Sequence, residues 1–599
     1  MKKRFFKNVS AVLSALLAFS SFAFAETPKN DFDGETREEK EFVTVRIPYE
    51  LSENENYDYS NPMLLRYSDT KKPIALSMFY DNAFYGTIPK ENENKEIEIF
   101  SSRYTDIKFS DEAENDGETG KSYKFYIIKK LAQRGIINGD DLGRALPDNN
   151  ITRAELSAMI LRFLGYAPSN SANTEFSDVA NDAWYAKTLA KAKEKGIITG
   201  DAEGTFRPEE DVSREEAVAM AARAIWRTGM QKENTSATTE DFNQNGSVQD
   251  TENVSPWAHS AYAQCEYYVP FETKETEVLD AEGIPISVCY LNPKKSATRF
   301  EVCELLEMLC VNTQIYPSQA AMDFGFDKKM PVIDGSTSTY PFTQAIYSKL
   351  FSNGNMHVQK PKKHSKSHTS YELLINGERD MIIASVYPAE DILNLAKSKG
   401  VELELIPIAY DAMVFFTNAE NKVSNLSQEQ ISEIYVNNKY QNWIELGGDD
   451  VPLYPYARNY DSGSHAQMER HFLNGNEINE KIRKETTSIS MSNVLTDVMG
   501  CLDANPKGYG LGYSIYYYFN NMDLFYETKT YLKLLSVDGI APNDETIANG
   551  TYPLSNNTYI VLRKNTPKDA PARKMAEFML TQKGQECVAE AGFGPLKHF

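Results

Sequence analysis

Cysteine, tryptophan and histidine are scarce in this chain, at 6, 4 and 7 in 599 residues. The cysteines (Cys265, Cys289, Cys303, Cys310, Cys501 and Cys587) include no Cys-x-x-Cys pair, which excludes zinc ribbons and thioredoxin-type redox sites. No His-Glu-x-x-His or Gly-x-Ser-x-Gly occurs. His465 merely follows Ser464 in sequence, and Asp334 with Ser336 lacks the ligand cluster a metal phosphatase needs. No catalysis, metal or cofactor is therefore expected. Positive charge is also short: 63 Lys+Arg face 85 Asp+Glu, a net of −22. A nucleic-acid binder needs a basic footprint to displace counterions, so that class is excluded. Residues 331–599 hold 25 basic and 31 acidic residues, a net of −6, which leaves −16 to the first 330. Whatever binds an anion is thus expected to lie in the C-terminal half rather than the first. Past residue 25 no apolar run is long enough to span a bilayer.

What is present is ordinary globular composition, 41% hydrophobic and 25% charged, with length for about four domains. Met1-Lys2-Lys3-Arg4, an apolar run over Val9–Ala25 and the exit Ala23-Phe24-Ala25 form the layout of a cleavable secretory signal over residues 1–25. No cysteine stands near that exit to carry a lipid. Export permits disulfides, and Cys501–Cys587 is one option. Connectivity and free buried thiols both stay open.

One pattern then occurs three times. Gly135-Ile136-Ile137-Asn138-Gly139 leads to Pro147 and Ile151-Thr152-Arg153-Ala154-Glu155. Gly196-Ile197-Ile198-Thr199-Gly200 leads to Pro208 and Val212-Ser213-Arg214-Glu215-Glu216. Pro293 leads to Ala297-Thr298-Arg299-Phe300-Glu301. Upstream lie Phe109-Ser110-Asp111, Phe176-Ser177-Asp178 with Trp184, and Ser255-Pro256-Trp257. Thr152, Ser213 and Thr298, each three residues before a Glu, predict capping boxes. Leu156, Met159, Ile160, Phe163 and Leu164 predict a helix with one apolar face. Each repeat reads as a helix pair joined by a loop. A cation in the first helical turn opposes the helix dipole. Arg153, Arg214 and Arg299 are therefore either anion contacts or partners in salt bridges to a neighbouring acid.

These segments resemble S-layer homology (SLH) repeats, the modules that hold proteins to the bacterial cell wall, over roughly residues 108–313. The resemblance implies repeats at 108–166, 175–229 and 240–313 that fold into one pseudo-threefold helical unit. It also implies binding to anionic secondary cell wall polysaccharide, with Arg153, Arg214 and Arg299 as contacts. The third copy lacks a clear Gly-Ile-Ile-x-Gly between Tyr267 and Leu291, so its groove is expected to be weakened.

From Pro331 strands alternate with helices. Pro331-Val332-Ile333-Asp334 reads as a strand, Gly335-Ser336-Thr337-Ser338-Thr339-Tyr340-Pro341 as a hydroxyl-rich turn, and Phe342, Ile346, Leu350 and Phe351 as a helix face. A strand that feeds such a turn offers an oxyanion free amides and hydroxyls. Ser367-His368-Thr369-Ser370 opens a second helix. Arg458 with Ser462-Gly463-Ser464 opens a third. Donors alone would then surround a dehydrated tetrahedral anion. The run Lys360–Lys366 is a steering patch or a solvated loop.

At these residues, and at Asp380-Met381-Ile382-Ile383-Ala384-Ser385 and Gly510-Leu511-Gly512-Tyr513-Ser514, residues 331–599 resemble the phosphate-binding proteins of ABC importers. The resemblance implies a two-lobed periplasmic-binding-protein-like α/β domain. The implied ligand is phosphate or a similar small oxyanion, held by Ser338, Thr339, Tyr340, Thr369, Ser370, Arg458, Ser462, Gly463 and Ser464. An ABC importer permease is the implied receiver. In that family an acidic residue follows the Asp-Ile-Ile-x-Ala-Ser-like strand and accepts the ligand proton. Here Val386-Tyr387-Pro388 follows, leaving Asp411 or Glu372 as substitutes. Residues 26–107 are Glu-, Asn- and Tyr-rich, with alternation at Val43–Ile47 and Glu96–Ile99 that predicts a small β-rich, partly disordered segment.

The expected architecture is multidomain α and α/β: a β-rich segment, a three-repeat SLH pseudo-trimer and a two-lobed domain. The expected protein is extracellular, wall-anchored and solute-binding. The alternative is a structural envelope protein whose binding domain has lost its ligand.

Overall fold

The structure is a computed structural model. It describes residues 41–50, 62–112, 119–229, 231, 233–242, 248–265, 272–279, 285–357, 359–458, 465, 467–488 and 491–596. The expected signal sequence (1–25) and the expected ligands Ser462, Gly463 and Ser464 lie outside the described residues. The chain divides into two units, residues 1–316 and 317–599.

The first unit opens with β1 (Phe42–Pro48), β2 (Leu64–Tyr67), β3 (Ser77–Tyr80), β4 (Ala83–Pro89) and β5 (Ile97–Phe100). β4 is central in the order β1-β4-β3, and β2 pairs with β5. All seven residues of β4 are buried, because both of its faces are covered. Tyr85 stacks on Tyr316 at 4.9 Å between ring centroids, and Thr87 Oγ1 lies 2.8 Å from the Tyr316 hydroxyl.

The repeats supply α1 (Thr119–Gln133), α2 (Arg153–Leu164), α3 (Ala186–Glu194), α4 (Arg214–Arg227), α5 (His259–Gln264) and α6 (Arg299–Asn312). One hydrophobic core runs through all of them. Helices α2, α4 and α6 each begin with a complete capping box. Their first turns are linked in a closed cycle. The Ile151 amide donates to the Ala297 carbonyl (3.1 Å), Ala297 to Val212 (2.8 Å) and Val212 to Ile151 (3.0 Å). The Arg153 amide donates to Glu210, Arg214 to Lys295 and Arg299 to Asn149.

The guanidinium groups follow the same direction. Arg153 pairs with Glu216, Arg214 with Glu301, and Arg299 with Glu155 at 2.6 Å. Each glutamate caps its own helix through one oxygen, 2.9 Å from the cap amide, and takes the neighbour's arginine on the other. Burial raises the cost of ionising Glu216. The Ser213 amide and Arg153 more than offset that and hold its carboxyl below the ordinary value.

A second element repeats. The carboxylates of Asp111, Asp178 and Asp250 each accept two successive amides, from Ala145 and Leu146, Phe206 and Arg207, and Leu291 and Asn292. Leu146, Arg207 and Asn292 all have φ near +50° and precede the repeated proline. In the third copy the hairpin β6 (Glu272–Leu279) and β7 (Pro285–Tyr290) occupies the stretch without Gly-Ile-Ile-x-Gly, yet the aspartate and proline geometry is kept.

The second unit begins with α7 (Gln319–Asp323), β8 (Ile333–Gly335), α8 (Tyr340–Leu350), α9 (Ser367–Asn376), β9 (Met381–Ala384) and β10 (Leu403–Asn418). There follow β11 (Asn425–Leu426), β12 (Leu453–Pro455), β13 (Ala457–Arg458), β14 (Thr487–Ser488), β15 (Tyr509–Ile515), β16 (Leu532–Leu534), β17 (Ser536–Val537), β18 (Ser555–Arg563) and β19 (Gly594–Pro595). The main sheet runs β12-β15-β10-β18-β9-β8. The long β10 pairs with β18 early, with a register shift between Pro407 and Ala409, and with β15 and β16 later. One core gathers around α9, β9 and β18, and another around the end of β10, β12 and β15. This is a mixed α/β domain.

The six cysteines are free thiols. Burial pushes the thiols of Cys265, Cys303, Cys310 and Cys587 up to about 12. No helix among the described residues is long and apolar enough to cross a membrane.

Removing one member of a buried ion pair strands its partner's charge. Arg214→Ala is therefore expected to cost the first unit about 3–5 kcal/mol in urea unfolding of the full chain. Arg207→Ala, whose side chain is 44% exposed, should cost less than about 1 kcal/mol. Equal effects would refute a stabilising ring.

Candidate functional site

The first hydroxyl-rich turn is fixed by the strand before it. β8 runs parallel to β9, with Ile333 opposite Met381, and passes into a short 3-10 turn and then α8. A Cβ on Gly335 would lie 2.3 Å from the Ile383 carbonyl, so glycine alone lets the strands approach this closely. Thr339 Oγ1 lies 2.9 Å from the Ser336 carbonyl and 2.8 Å from that of Ile383. Ser336 and Ser338 hydroxyls are 3.0 Å apart. The Tyr340 hydroxyl donates to the Pro361 carbonyl and accepts from Lys360, both at 3.0 Å.

The second turn is joined to the first by two buried groups. The Asp334 carboxylate accepts from the amides of Gly335 (2.8 Å) and Ser365 (2.7 Å), from the Ser365 hydroxyl and from Arg379 Nε (3.1 Å). His364 places Nδ1 2.9 Å from the Ser336 carbonyl and Nε2 2.9 Å from Thr343 Oγ1. Burial holds this imidazole below its ordinary pKa, so it is neutral near pH 7, with Nδ1–H donating and Nε2 accepting. Helix α9 starts three residues after His364. Ser370 is buried and donates to the Ser367 carbonyl at 2.9 Å; Thr369 is exposed. Ser367 Oγ is buried with no hydrogen-bond partner among the described residues. The Tyr371 hydroxyl donates to the Val386 carbonyl at 2.8 Å and ties α9 to the chain leaving β9.

Both expected turns thus flank the C-terminal end of β9. Arg458 stands on β13, buried, with its amide 3.0 Å from the Tyr513 hydroxyl; burial pulls its pKa below the ordinary value. The substitute acids do not meet the turns in the same way. Glu372 is 43% exposed and faces His368. Asp411 is fully buried in β10, and its carboxyl is pushed up to about 8 by burial. One Asp411 oxygen accepts the Ala412 amide at 2.8 Å, and the other has no partner among the described residues.

Beside the end of β9 lies a cavity of about 340 Å³. Ser385, Val386 and Tyr387 line it from β9's exit, Leu554 to Asn557 and Tyr559 from β18 and its approach, and Met413, Gln428, Gln467 and Phe472 from the other core. The stretch that lacks the expected acid therefore forms part of a wall without formal charge among the described residues.

Sequence reasoning passed over Ser336, Ser367 and His364 as contributors. Ser336 and Ser367 lie in the hydroxyl-rich motifs, and His364 in the basic run. Gln467 and Asn556 have no motif at all.

In the repeats, the structure engages all three arginines with neighbouring carboxylates. Protein carbonyls or cap hydroxyls fill the first three amides of each helix: in α2, those of Arg153, Ala154 and Glu155 go to Glu210, Pro208 and Thr152. Of the two options for Arg153, Arg214 and Arg299, the ion pair is what the structure displays. Trp184 and Trp257 are exposed by 64% and 53%.

Because Asp411 has a folded pKa above its ordinary 3.8, ionising it opposes folding. The second unit's stability should fall as pH rises from about 4 to about 8, by up to about 1.4 kcal/mol per pH unit. Asp411→Asn should flatten that slope in urea titrations across the range. An unchanged slope would place the titration elsewhere.

Family models match residues 330–583 as a PBP superfamily domain and residues 116–157 and 175–218 as S-layer homology domain. Protein SphX of Synechococcus elongatus is 25% identical over 303 residues, 49% of this chain and 84% of that protein. The phosphate-binding protein PstS of Borreliella burgdorferi is 27% identical over 283 residues, 45% of this chain and 91% of that protein. Exoglucanase XynX of Acetivibrio thermocellus is 35% identical over 159 residues, 26% of this chain and 14% of that protein. Among solved structures, a putative phosphate ABC transporter substrate-binding protein with bound phosphate from Clostridium perfringens is 23% identical. It covers 44% of this chain and 98% of that one, with a TM-score of 0.34. The chain thus carries S-layer homology repeats followed by a PBP superfamily domain.

Proposed function

We propose that this is a secreted solute-binding protein held at the cell surface by its repeats, and that its second unit binds phosphate or a similar small oxyanion without catalysis. One arrangement carries the reading. Two helix starts with serine hydroxyls, at Ser336–Ser338 and Ser367–Thr369, are locked together at the C-terminal end of β9 beside a cavity. Helix N-termini and strand ends are where α/β sheets offer oriented amides to anions. The likeness to proteins named as phosphate-binding supports the same ligand class.

The roles within the cradle differ. The Thr339 and Ser370 hydroxyls direct their hydrogens at protein carbonyls, which suits a scaffold better than an anion contact. Ser338, Ser367, Thr369 and the helix amides are the proposed donors, with Ser336 bonded to its neighbours Ser338 and Thr339 and Arg458 added on the resemblance. Ser462, Gly463 and Ser464 complete the set on the resemblance. The two cores sharing β10 act as lobes that close over the ligand, and an ABC importer permease is the proposed receiver.

For the repeats, the proposal is one pseudo-threefold unit that includes residues 240–313 and docks on anionic secondary cell wall polysaccharide. The hydrogen-bonded cycle and the repeated aspartates support three equivalent copies. Arg153, Arg214 and Arg299 then shape the grooves through their ion pairs, while exposed Trp184 and Trp257 offer ring faces to sugars.

Calorimetry on ligand-stripped full chain should show phosphate uptake, and Arg458→Ala should weaken it at least about tenfold. No heat with phosphate or sulfate would favour the structural envelope reading. Purified walls should retain the chain, walls stripped of anionic polymer should not, and Trp184→Ala with Trp257→Ala should lower retention several-fold. Equal retention on stripped walls would defeat the attachment model.

A further inference from the structure

The cavity beside β9 is chemically unlike an oxyanion site. Its volume of about 340 Å³ falls in the range of roughly 300–1,000 Å³ that holds organic small molecules. At the present separation of its walls, a bare tetrahedral anion fills only part of it. None of the described lining residues is charged. A second charged group on a ligand would meet no compensating charge among these residues, which favours a neutral body.

Two buried amide oxygens refine the picture. Gln467 is 6% exposed and lines the cavity; its Oε1 has no hydrogen-bond partner among the described residues. Asn556 donates through Nδ2 to the Ser385 carbonyl at 3.2 Å, while its buried Oδ1 also has none. Buried acceptors are seldom left unsatisfied, and an amide oxygen repels an oxyanion. These two call for ligand hydroxyl donors. Around them stand the rings of Tyr387 and Tyr559, with hydroxyls 2.8 Å apart and centroids 5.2 Å apart, together with Phe472. Amide groups for hydroxyls and ring faces for C–H surfaces are the lining that a sugar or polyol requires.

The cavity wall also adjoins, along the chain, the carbonyls that the oxyanion turns and their helices bond. Thr339 binds the Ile383 carbonyl, Tyr371 of α9 binds that of Val386, and Ser385–Tyr387 between and beyond them form the cavity wall. A ligand with its anionic end at the helix starts would project its body past β9 into this space.

We propose that the ligand is an organic phosphate, a sugar or polyol phosphate monoester. Its oxyanion sits at the Ser336–Ser338 and Ser367–Thr369 helix starts, and its uncharged, hydroxyl-bearing body fills the Tyr387–Gln467–Asn556 cavity. This rests on the oxyanion reading above and names the ligand class for the same site.

The test is calorimetry of ligand-stripped full chain with inorganic phosphate, glycerol 3-phosphate, glucose 6-phosphate and glucose. At least one ester should bind about tenfold more tightly than inorganic phosphate, and glucose alone should not bind, since the anion supplies the anchor. Gln467→Leu should reduce the ratio of ester to phosphate affinity about tenfold. Tyr387→Ala, at a 49% exposed residue, reads the same ratio should the first variant misfold. Inorganic phosphate binding as tightly as both esters, or a ratio unmoved in both variants, overturns the ester proposal and leaves the oxyanion site standing. Uptake of none of the three anions overturns the oxyanion reading and this proposal with it.

Discussion

A single buried carboxylate, that of Asp334, sets the frame on which the second unit's site depends. It sits at the end of β8 and collects donors from its own turn, from Ser365 and from Arg379 before β9. A buried carboxylate is tolerated only when such donors surround it. Meeting that need draws three chain segments to one point, and those segments carry both hydroxyl-rich turns. His364 repeats the arrangement one step along, bridging the Ser336 carbonyl and Thr343. The turns are therefore positioned by groups that need not touch a ligand themselves.

The first unit applies the same economy in a cycle. An arginine at the start of a helix is unfavourable beside the dipole. Three such arginines are tolerated because each faces the capping glutamate of the next copy. The glutamate serves its own helix with one oxygen and its neighbour with the other. Each of these first turns is thus completed by a carboxylate from another copy.

Much of this was legible because its signals are local. The capping boxes at Thr152, Ser213 and Thr298 follow from a hydroxyl and an acid three residues apart, and the alternation at Val43–Ile47 lies within β1. The third copy was harder. Its Gly-Ile-Ile-x-Gly is replaced by a hairpin, and its aspartate, Asp250, does the work of Asp111 and Asp178 without their Phe-Ser prefix. The fate of the three arginines was left open in sequence, because their partners lie 63, 87 and 144 residues away. In the second unit, the hydroxyl-rich turns were visible as composition. Which hydroxyls are spent on carbonyls was not, since that depends on Ile383 across the sheet. The cavity wall was invisible for a similar reason: Gln467, Asn556 and Tyr387 come from three distant segments and form no motif.

The thiols have a consequence of their own for a chain built to live outside the cell. Disulfide exchange proceeds through the thiolate. With pKa raised to about 12, the four deepest sulfurs expose only about one part in 10⁵ of that reactive form at pH 7. Once folded, they are inert to small oxidants and to scrambling with neighbours. At these four positions, protection in an oxidising medium comes from hiding the sulfur rather than from cross-linking it.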